Sequence, residues 1–306
     1  MHMNKLDSRK WAMNEGMTPV VFLEEVSYSV GNMLAVSGIS INSVLGMGIG
    51  AVGPLDRIAG TILAPLHFPS IGWKNISIRS MFEHAFDFPV ILDNGANMAI
   101  VGEFWASRNQ DYLHLLYIHL GIGLRSAIMT GGKVVYGAVD MEGSIGQMII
   151  QTDGVRLRET GNFGSLENYA TIYALEKQAQ ARLKQGRSSV LQQLITERKD
   201  YDRVYFDQLV QAFMEQDPLS IELFTQAATY FGIGLSNLLT ILHPEKVILG
   251  GPLINFHPMF FQVSTEVAIQ KTQYYPTYHV EFSQGNLGQD AMVVGAAVAF
   301  LNKITE

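Results

Sequence analysis

Three turns in the sequence combine polar residues or glycines with a position directly after a short apolar run. They are Asp93-Asn94-Gly95, Gly121-Ile122-Gly123 and Gly250-Gly251. In open α/β sheets, ligands bind beyond the carboxyl ends of the strands, so we expect a ligand site at these turns. The carboxylate of Asp93 could accept a proton or cap its own turn. The glycines also have a purely conformational interpretation, because glycine suits tight turns whatever the ligand.

Other residue types exclude several chemistries. The chain has no cysteine, which excludes disulfides, thiolate catalysis and cysteine-ligated zinc. The histidines, among them His114, His119 and His243, have no metal-ligand spacing, and we interpret them as core or turn residues. A net charge of -7 argues against a broad nucleic-acid surface, because Lys and Arg contacts to phosphate dominate such binding. The short basic groups at 177–187 and 198–203 are interpreted as solvated helix faces.

Strands alternate with helices along the chain, which predicts an α/β architecture with largely parallel sheets. Thr18-Pro19 is a good helix start, and we predict a helix over residues 18–37. The other predicted strands are 44–49, 89–92, 112–120, 247–249 and 278–282, with a hairpin at 129–136. The other predicted helices are 96–105, 166–184, 188–197, 205–215, 219–242 and 290–303.

The bulk composition is that of a folded chain with a sizeable core, since 48% of its 306 residues are hydrophobic. Only 16% are charged, from which we expect part of the surface to be buried in a homodimer or higher homo-oligomer. A single monomeric species in light scattering would contradict that expectation. We see no signal peptide and no apolar run long enough to span a bilayer, so we expect a cytoplasmic protein.

Six segments resemble the ROK family of repressors, open reading frames and sugar kinases, in consistent order from about Thr18 to the C-terminus. They are 46–56, 68–76, 89–103, 120–123, 238–253 and 287–297. The resemblance implies two actin-like, ribonuclease-H-like α/β domains with a sugar in the cleft between them. We assign residues 1–17 to a remnant or tag, 18–115 to the first domain and 116–306 to the second. The last helix is allowed to return to the first domain.

Gly95 is the most informative departure from the family pattern. Kinases of the family carry an aspartate directly after the motif's asparagine, where it acts as general base toward the sugar hydroxyl. Alignment on Asn94 and Asn97 places Gly95 there. Asp93 is one residue away, and one step along extended chain turns the side chain to the opposite face. We therefore interpret Asp93 as a turn-capping residue rather than as a replacement base, and we predict no sugar phosphorylation.

The family's sugar-contacting and zinc-binding residues are also replaced. Its Gly-Glu-Ile-Gly-His segment corresponds to 143–147, where Ser144 replaces the glutamate and Glu142 is the alternative hydroxyl partner. Glu167 is retained. The four zinc-ligand positions are occupied by Gln147, Arg158, Thr160 and Ser165. None of these is a usual zinc donor, so we expect no structural zinc.

Residues 1–17 contain neither the Asp-x-Gly-Gly-Thr phosphate loop of the family's kinases nor the winged helix-turn-helix of its repressors. We therefore expect the first domain to lack its N-terminal strands. The resemblance assigns Gly121 and Gly123 to a second phosphate loop and Gly250 and Gly251 to the adenosine side. Without the first loop we interpret these glycines as vestigial, and we expect no cofactor, with ATP as the alternative.

The resulting hypothesis is a sugar- or sugar-phosphate-sensing effector module of a ROK-type transcriptional regulator that does not phosphorylate its ligand. DNA would be contacted only through a domain not present in this chain. The alternatives are an ATP-dependent sugar kinase and a protein that keeps the fold for assembly alone. The expected ligand contacts are Gly72, Asn75, Asn94, Gly95, Ser144, Gln147 and Glu167.

Overall fold

The computed structural model describes residues 5–65, 68–108, 110–198, 203–273 and 278–305, and the chain divides into two units. Unit 1 comprises the residues up to Trp105, the segment Tyr136–Glu142 and the residues from Gln289 onward. Unit 2 comprises Ala106–Val135 and Gly143–Gly288. The sequence had suggested a boundary near residue 115. Within the described ranges, no helix combines the length and apolar character that crossing a membrane requires.

The described helices and strands alternate along the chain. The helices are α1 (Pro19–Val36), α2 (Ile78–Phe86), α3 (Gly95–Ala106), α4 (Ile172–Lys184), α5 (Leu191–Arg198), α6 (Phe206–Met214), α7 (Pro218–Leu242), α8 (Pro252–Asn255), α9 (Pro258–Lys271) and α10 (Ala291–Thr305). The strands are β1 (Met47–Ala51), β2 (Leu55–Asp56), β3 (Thr61–Ile62), β4 (Val90–Asn94), β5 (Leu115–Leu120), β6 (Leu124–Thr130), β7 (Lys133–Val134), β8 (Lys246–Gly250) and β9 (Glu281–Ser283).

Several sequence expectations about element bounds were wrong. The strands predicted from residues 112 and 278 begin at Leu115 and Glu281, and the helix predicted from residue 188 begins at Leu191. The strand predicted from residue 44 begins at Met47, after a short 3₁₀ turn at Ile41–Ser43. The helix predicted from residue 166 begins at Ile172, and a separate 3₁₀ turn covers Leu166–Asn168. Thr171 caps α4 by accepting the N–H of Ala174, which fixes the start of the helix at 172.

The sheet of unit 1 pairs β1 with β4 in parallel, from Met47 opposite Val90 to Ala51 opposite Asn94. α10 lies so close to this sheet that a Cβ on Gly48 would be 2.2 Å from the carbonyl oxygen of Ala296. The packing of α10 therefore requires glycine at position 48. The core of this unit includes Trp73, whose ring centre lies 5.4 Å from the ring centre of Phe22.

The sheet of unit 2 has the strand order β7-β6-β5-β8-β9. β5, β8 and β9 are parallel, whereas β5, β6 and β7 form antiparallel hairpins. The expectation of a largely parallel sheet is therefore wrong for half of this unit, because the 121–123 turn connects two strands directly. The hairpin predicted at 129–136 is present as β6 and β7. The core of the unit is built around α7, in which Phe224 and Phe231 are fully buried.

Candidate functional site

Asn94 is the last residue of β4 and is held in place at both ends of its side-chain amide. Its Oδ1 accepts the backbone N–H of Asn97 at 2.7 Å and so caps the first turn of α3. Its Nδ2 donates to Oδ1 of Asp140 at 2.9 Å. The residue is 3% exposed. Asn94 therefore joins the end of the strand, the start of the helix and the distant segment 136–142.

Asp93 uses both carboxylate oxygens within unit 1. Oδ1 accepts the N–H of Asn94 at 2.7 Å and the Nδ2–H of Asn97 at 2.9 Å. Oδ2 accepts the hydroxyl of Tyr136 at 2.8 Å, with Arg57 Nη1 at 3.9 Å. Partial burial and the Asp93 carboxylate raise the pKa of Tyr136 well above its usual range, so its hydroxyl stays protonated. These are the contacts of a carboxylate that stabilises a turn.

Gly95 opens α3 and is buried. A Cβ at this position would lie 2.9 Å from the terminal methyl carbon of Met292 and 3.8 Å from Oε1 of Glu142. The surroundings of Gly95 thus contain a carboxylate, but it comes from a segment almost fifty residues further along the chain.

Two carboxylates from Tyr136–Glu142 were not anticipated at this turn. Glu142 Oε2 accepts the N–H of Gly53 at 3.0 Å. Asp140 Oδ1 accepts both the Asn94 amide and the N–H of Glu142, at 3.2 Å in the second case, and its Oδ2 is buried without a hydrogen-bond partner in the described part of the chain. The sequence suggested Glu142 as the alternative to Ser144 for contacting a sugar hydroxyl, and here it accepts the N–H of Gly53. The two acidic residues Asp140 and Glu142, two positions apart, were the feature of the sequence that could have indicated their role at this turn.

The loop containing Gly72 and Asn75 is fixed by its backbone rather than by the side chains predicted to bind ligand. Gly72 has φ +84° and Asn75 has φ +56°, a region that favours glycine and asparagine. Between them, Trp73 is buried and its Nε1 donates to the carbonyl of Met17 at 2.9 Å. The side chain of Asn75 is exposed. It is therefore free to contact a ligand.

A second group of predicted residues is assembled within unit 2. Gln147 Oε1 accepts the N–H of Asn162 at 2.8 Å, and Asn162 Nδ2 donates to the carbonyl of Gln147 at 2.9 Å. The carboxylate of Glu167 lies beside both neighbouring glycines, 3.3 Å from a Cβ position at Gly161 and 3.4 Å from one at Gly146. Ser144, at the start of the same 3₁₀ turn as Gln147, is exposed.

The four positions assigned to zinc ligands do not fit a metal. Gln147 is engaged with Asn162, Ser165 Oγ accepts from Asn168 at 2.8 Å, and the Arg158 guanidinium lies 3.9 Å from the centre of the Tyr173 ring. Across the described ranges, no group of three or more His, Cys, Asp or Glu side chains could hold a metal ion. Amide hydrogen bonds hold this loop together.

Asn168 is the central hydrogen-bonding residue of that loop, so Asn168→Ala is expected to destabilise unit 2. Its Oδ1 accepts the N–H of Leu157 at 3.1 Å, and its Nδ2 donates to the carbonyl of Asn162 at 3.0 Å. Asn168 is 3% exposed and also donates to Oγ of the fully buried Ser165 at 2.8 Å, so its removal leaves a buried hydroxyl and the half-buried N–H of Leu157 without this partner, at a cost of about 2–3 kcal/mol. Urea unfolding measures this, with the exposed Asn302→Ala as the control that should stay within about 0.5 kcal/mol of wild type. Equal stability of the two variants would contradict the assignment.

The glycines of the two remaining turns differ in what the fold requires of them. Gly251 has φ +99°, and a Cβ there would lie 2.3 Å from the carbonyl oxygen of Leu120. Backbone conformation and packing therefore suffice to explain glycine at position 251. Among the described residues, no atom lies within 4 Å of a Cβ position at Gly123, and a Cβ at Gly250 meets only the Tyr117 side chain, with the hydroxyl oxygen at 3.4 Å. The N–H of Gly121 donates to the carbonyl of Gly123 at 3.0 Å, which closes the hairpin turn. The fold alone therefore does not explain glycine at 123 or 250.

Comparison with known proteins relates these two units to sugar kinases and repressors. The sequence model of the ROK family matches residues 8–303. The xylose repressor of Caldicellulosiruptor bescii is 30% identical over 254 residues, which cover 82% of this chain and 61% of the repressor. The glucokinase of Halalkalibacterium halodurans is 27% identical over 266 residues, covering 84% of this chain and 76% of the glucokinase. The crystal structure of the ROK hexokinase from Thermus thermophilus has a TM-score of 0.76 at 25% identity, covering 94% and 88% of the two chains. The chain therefore spans less than two thirds of the xylose repressor's length.

Proposed function

The chain belongs to the ROK family, and on this premise we propose that it binds a sugar or sugar phosphate without phosphorylating it. The observation that carries the proposal is the state of Asp93. Both of its oxygens accept hydrogen bonds from Asn94, Asn97 and Tyr136, and Gly95 beside it has no side chain. A general base must turn a carboxylate oxygen toward the sugar hydroxyl, whereas the oxygens of Asp93 are turned toward its own turn and toward Tyr136. Binding alone has no such requirement.

The predicted contact residues have polar side-chain groups that can form hydrogen bonds with sugar hydroxyls. Asn75 and Ser144 are exposed, and the side-chain NH₂ of Gln147 is left over after its oxygen accepts from Asn162. The Glu167 carboxylate is half-buried and has no hydrogen-bond partner within the described residues. Amides, hydroxyls and a carboxylate of this kind suit the alternating donors and acceptors of a sugar.

The role we propose is that of a sensor. A ligand that prefers one of two conformations shifts their populations, and the shift is transmitted to whatever contacts DNA outside this chain. We also propose that the protein is a homo-oligomer. Exposed apolar residues on α1 support this, since Val20, Tyr28 and Val36 are 61%, 72% and 86% exposed.

Thermal unfolding in the presence of a panel of hexoses, pentoses, amino sugars and sugar phosphates tests the proposal. A binding sugar at about ten times its Kd should raise the Tm by about 3 °C. Asn75→Gly keeps the positive φ of this position and removes the amide, so its Tm without sugar should be unchanged while the sugar response falls. Asn302→Ala serves as the matched loss of an amide. If no sugar of the panel raises the Tm, the sensor proposal is wrong and assembly alone is favoured.

A second candidate function, an ATP-dependent sugar kinase, is favoured by one specific observation. Glu142 Oε1 lies 3.8 Å from the Cβ position of Gly95, where the family's kinases carry their base. Glu142 is 5% exposed and is oriented by the N–H of Gly53. A coupled assay for ADP across the same sugars distinguishes the two functions. Our proposal expects no sugar-dependent ADP, whereas turnover that Glu142→Gln abolishes would establish the kinase.

A further inference from the structure

Unit 1 contains a cavity of about 430 Å³ that none of the proposed sugar contacts lines. Its charged and polar wall is made of Arg57, Arg79, Asp93, Tyr136 and Lys303. The apolar part of its lining comes from Ile58, Ile91, Leu92, Met98 and Ala299. A volume of this size lies within the range of small-molecule sites, which combine an apolar lining with a few convergent polar groups.

The charges around this cavity are unbalanced. Three cationic side chains line it against one carboxylate, that of Asp93. Asp93 already accepts hydrogen bonds from Asn94, Asn97 and Tyr136. Arg57 reaches it only at 3.9 Å, and neither Arg79 nor Lys303 forms an ion pair within the described residues. The cavity therefore carries an excess of positive charge.

Both arginines are held in fixed orientations before any ligand arrives. The guanidinium carbon of Arg57 lies 3.5 Å from the centre of the Tyr136 ring, which fixes the plane of the group by stacking. Arg79 donates to the carbonyls of Ile58 at 2.9 Å and Arg57 at 2.5 Å. Its Nε is buried and has no hydrogen-bond partner in the described part of the chain. Pre-ordered guanidinium groups lose little side-chain entropy when they bind an oxyanion.

We propose that this cavity binds a small phosphomonoester, with its phosphate held by Arg57, Arg79 and Lys303. A phosphate dianion matches the excess charge, and its several oxygens suit the planar fork of a guanidinium. A monocarboxylate would neutralise only one of the three cations. The apolar lining contacts the carbon part of the ligand.

The site is separate from the sugar contacts but shares one element with them. Asp93 lines the cavity and also receives the N–H of Asn94. An anion that draws Arg57 away from Asp93 changes the electrostatic surroundings of the turn that carries Asn94 and Gly95. The proposal does not depend on sugar binding, because the cavity exists whether or not a sugar binds.

Calorimetric titration of the full chain with inorganic phosphate and with glycerol 3-phosphate, at constant ionic strength set with chloride, tests the site. Both anions should bind, and acetate should bind at least about tenfold more weakly. Lys303→Gln should weaken phosphate binding about fivefold, and Arg57→Gln about tenfold or more. Lys271→Gln is the matched control, since Lys271 is the basic residue in the last turn of α9 as Lys303 is in α10.

Several results would overturn the site. Absence of heat with both phosphate probes would do so, as would equal affinity for acetate, or unchanged phosphate affinity in both Lys303→Gln and Arg57→Gln. Because Lys303 is exposed, its variant should fold like the wild type, which a melting curve checks. Absence of a response to the unphosphorylated sugars of the thermal-shift panel would leave this proposal standing, and loss of phosphate binding would leave sensing of an unphosphorylated sugar standing.

Discussion

Gly295→Ala is expected to destabilise unit 1 by about 3 kcal/mol or more. At this position α10 crosses α3 with backbone in contact with backbone. A Cβ on Gly295 would lie 1.6 Å from the carbonyl oxygen of Met98 and 2.8 Å from the N of Gly102. A Cβ on Gly102 would in turn lie 2.2 Å from the carbonyl oxygen of Ala291. Neither helix backbone can yield as a flexible side chain could, so the helices must separate.

Gly31→Ala is the matched control for that prediction. Gly31 also lies inside a helix, α1, but a Cβ there meets no atom of the described part of the chain within 4 Å. Alanine is the better helix former, so this variant should be more stable than wild type by about 0.5–1 kcal/mol. Urea unfolding followed by circular dichroism compares the two. A Gly295→Ala protein with a wild-type unfolding midpoint would mean that the close crossing of α3 and α10 does not exist in solution.

Asn94→Asp is expected to have the second-largest effect, about 3 kcal/mol of destabilisation at neutral pH. The amide of Asn94 donates to Asp140 at 2.9 Å, and the substitution replaces that donor with a second carboxylate. The new side chain keeps the oxygen that caps α3, so the lost stability comes from the charge and not from the cap. Since Asn94 is 3% exposed and Asp140 is half-buried, solvent screens the pair only in part.

The same variant should show an inverted dependence on pH. Two carboxylates that share a buried site raise the pKa of the pair in the folded state above that of the unfolded chain. The folded state then binds more protons than the unfolded state, so stability rises as the pH falls from neutral toward about 5. Unfolding at several pH values measures this, with the exposed Asn75→Asp as control. A variant whose stability follows the wild type across that range would rule out the contact with Asp140.

Much of the local structure followed from the sequence. Thr18-Pro19 predicted the start of α1, whose cap accepts from Val21, and His243-Pro244 predicted the end of α7, where His243 has φ +43°. The ROK resemblance rested on segments whose order the family match over residues 8–303 confirms. The sequence did not predict the hairpin turn at 121–123. A strand followed by glycines has the same sequence pattern whether a helix or another strand comes next. Only pairing with β6 separates these cases.

The surroundings of Gly95 could be predicted only in part from the sequence. That this position offers no carboxylate follows from the sequence itself. That Glu142 and Asp140 lie beside it does not, because they are more than forty residues away and belong to a segment that unit 1 receives from between two parts of unit 2. The cavity lined by Arg57, Arg79 and Lys303 could not be predicted from the sequence for the same reason, since these cations come from different segments of the chain.

The sequence by itself determined that cysteine chemistry is absent, that α1 begins at Thr18-Pro19 and α7 ends at His243-Pro244, and that position 95 offers no side chain. These properties depend on residue type and on local periodicity, which act over a few neighbouring positions. The tertiary structure alone decided that both oxygens of Asp93 accept hydrogen bonds, that Glu142 lies beside Gly95, and that α3 and α10 touch through Gly102 and Gly295. Such contacts depend on which distant surfaces pack together, and local patterns of apolar residues do not encode that choice.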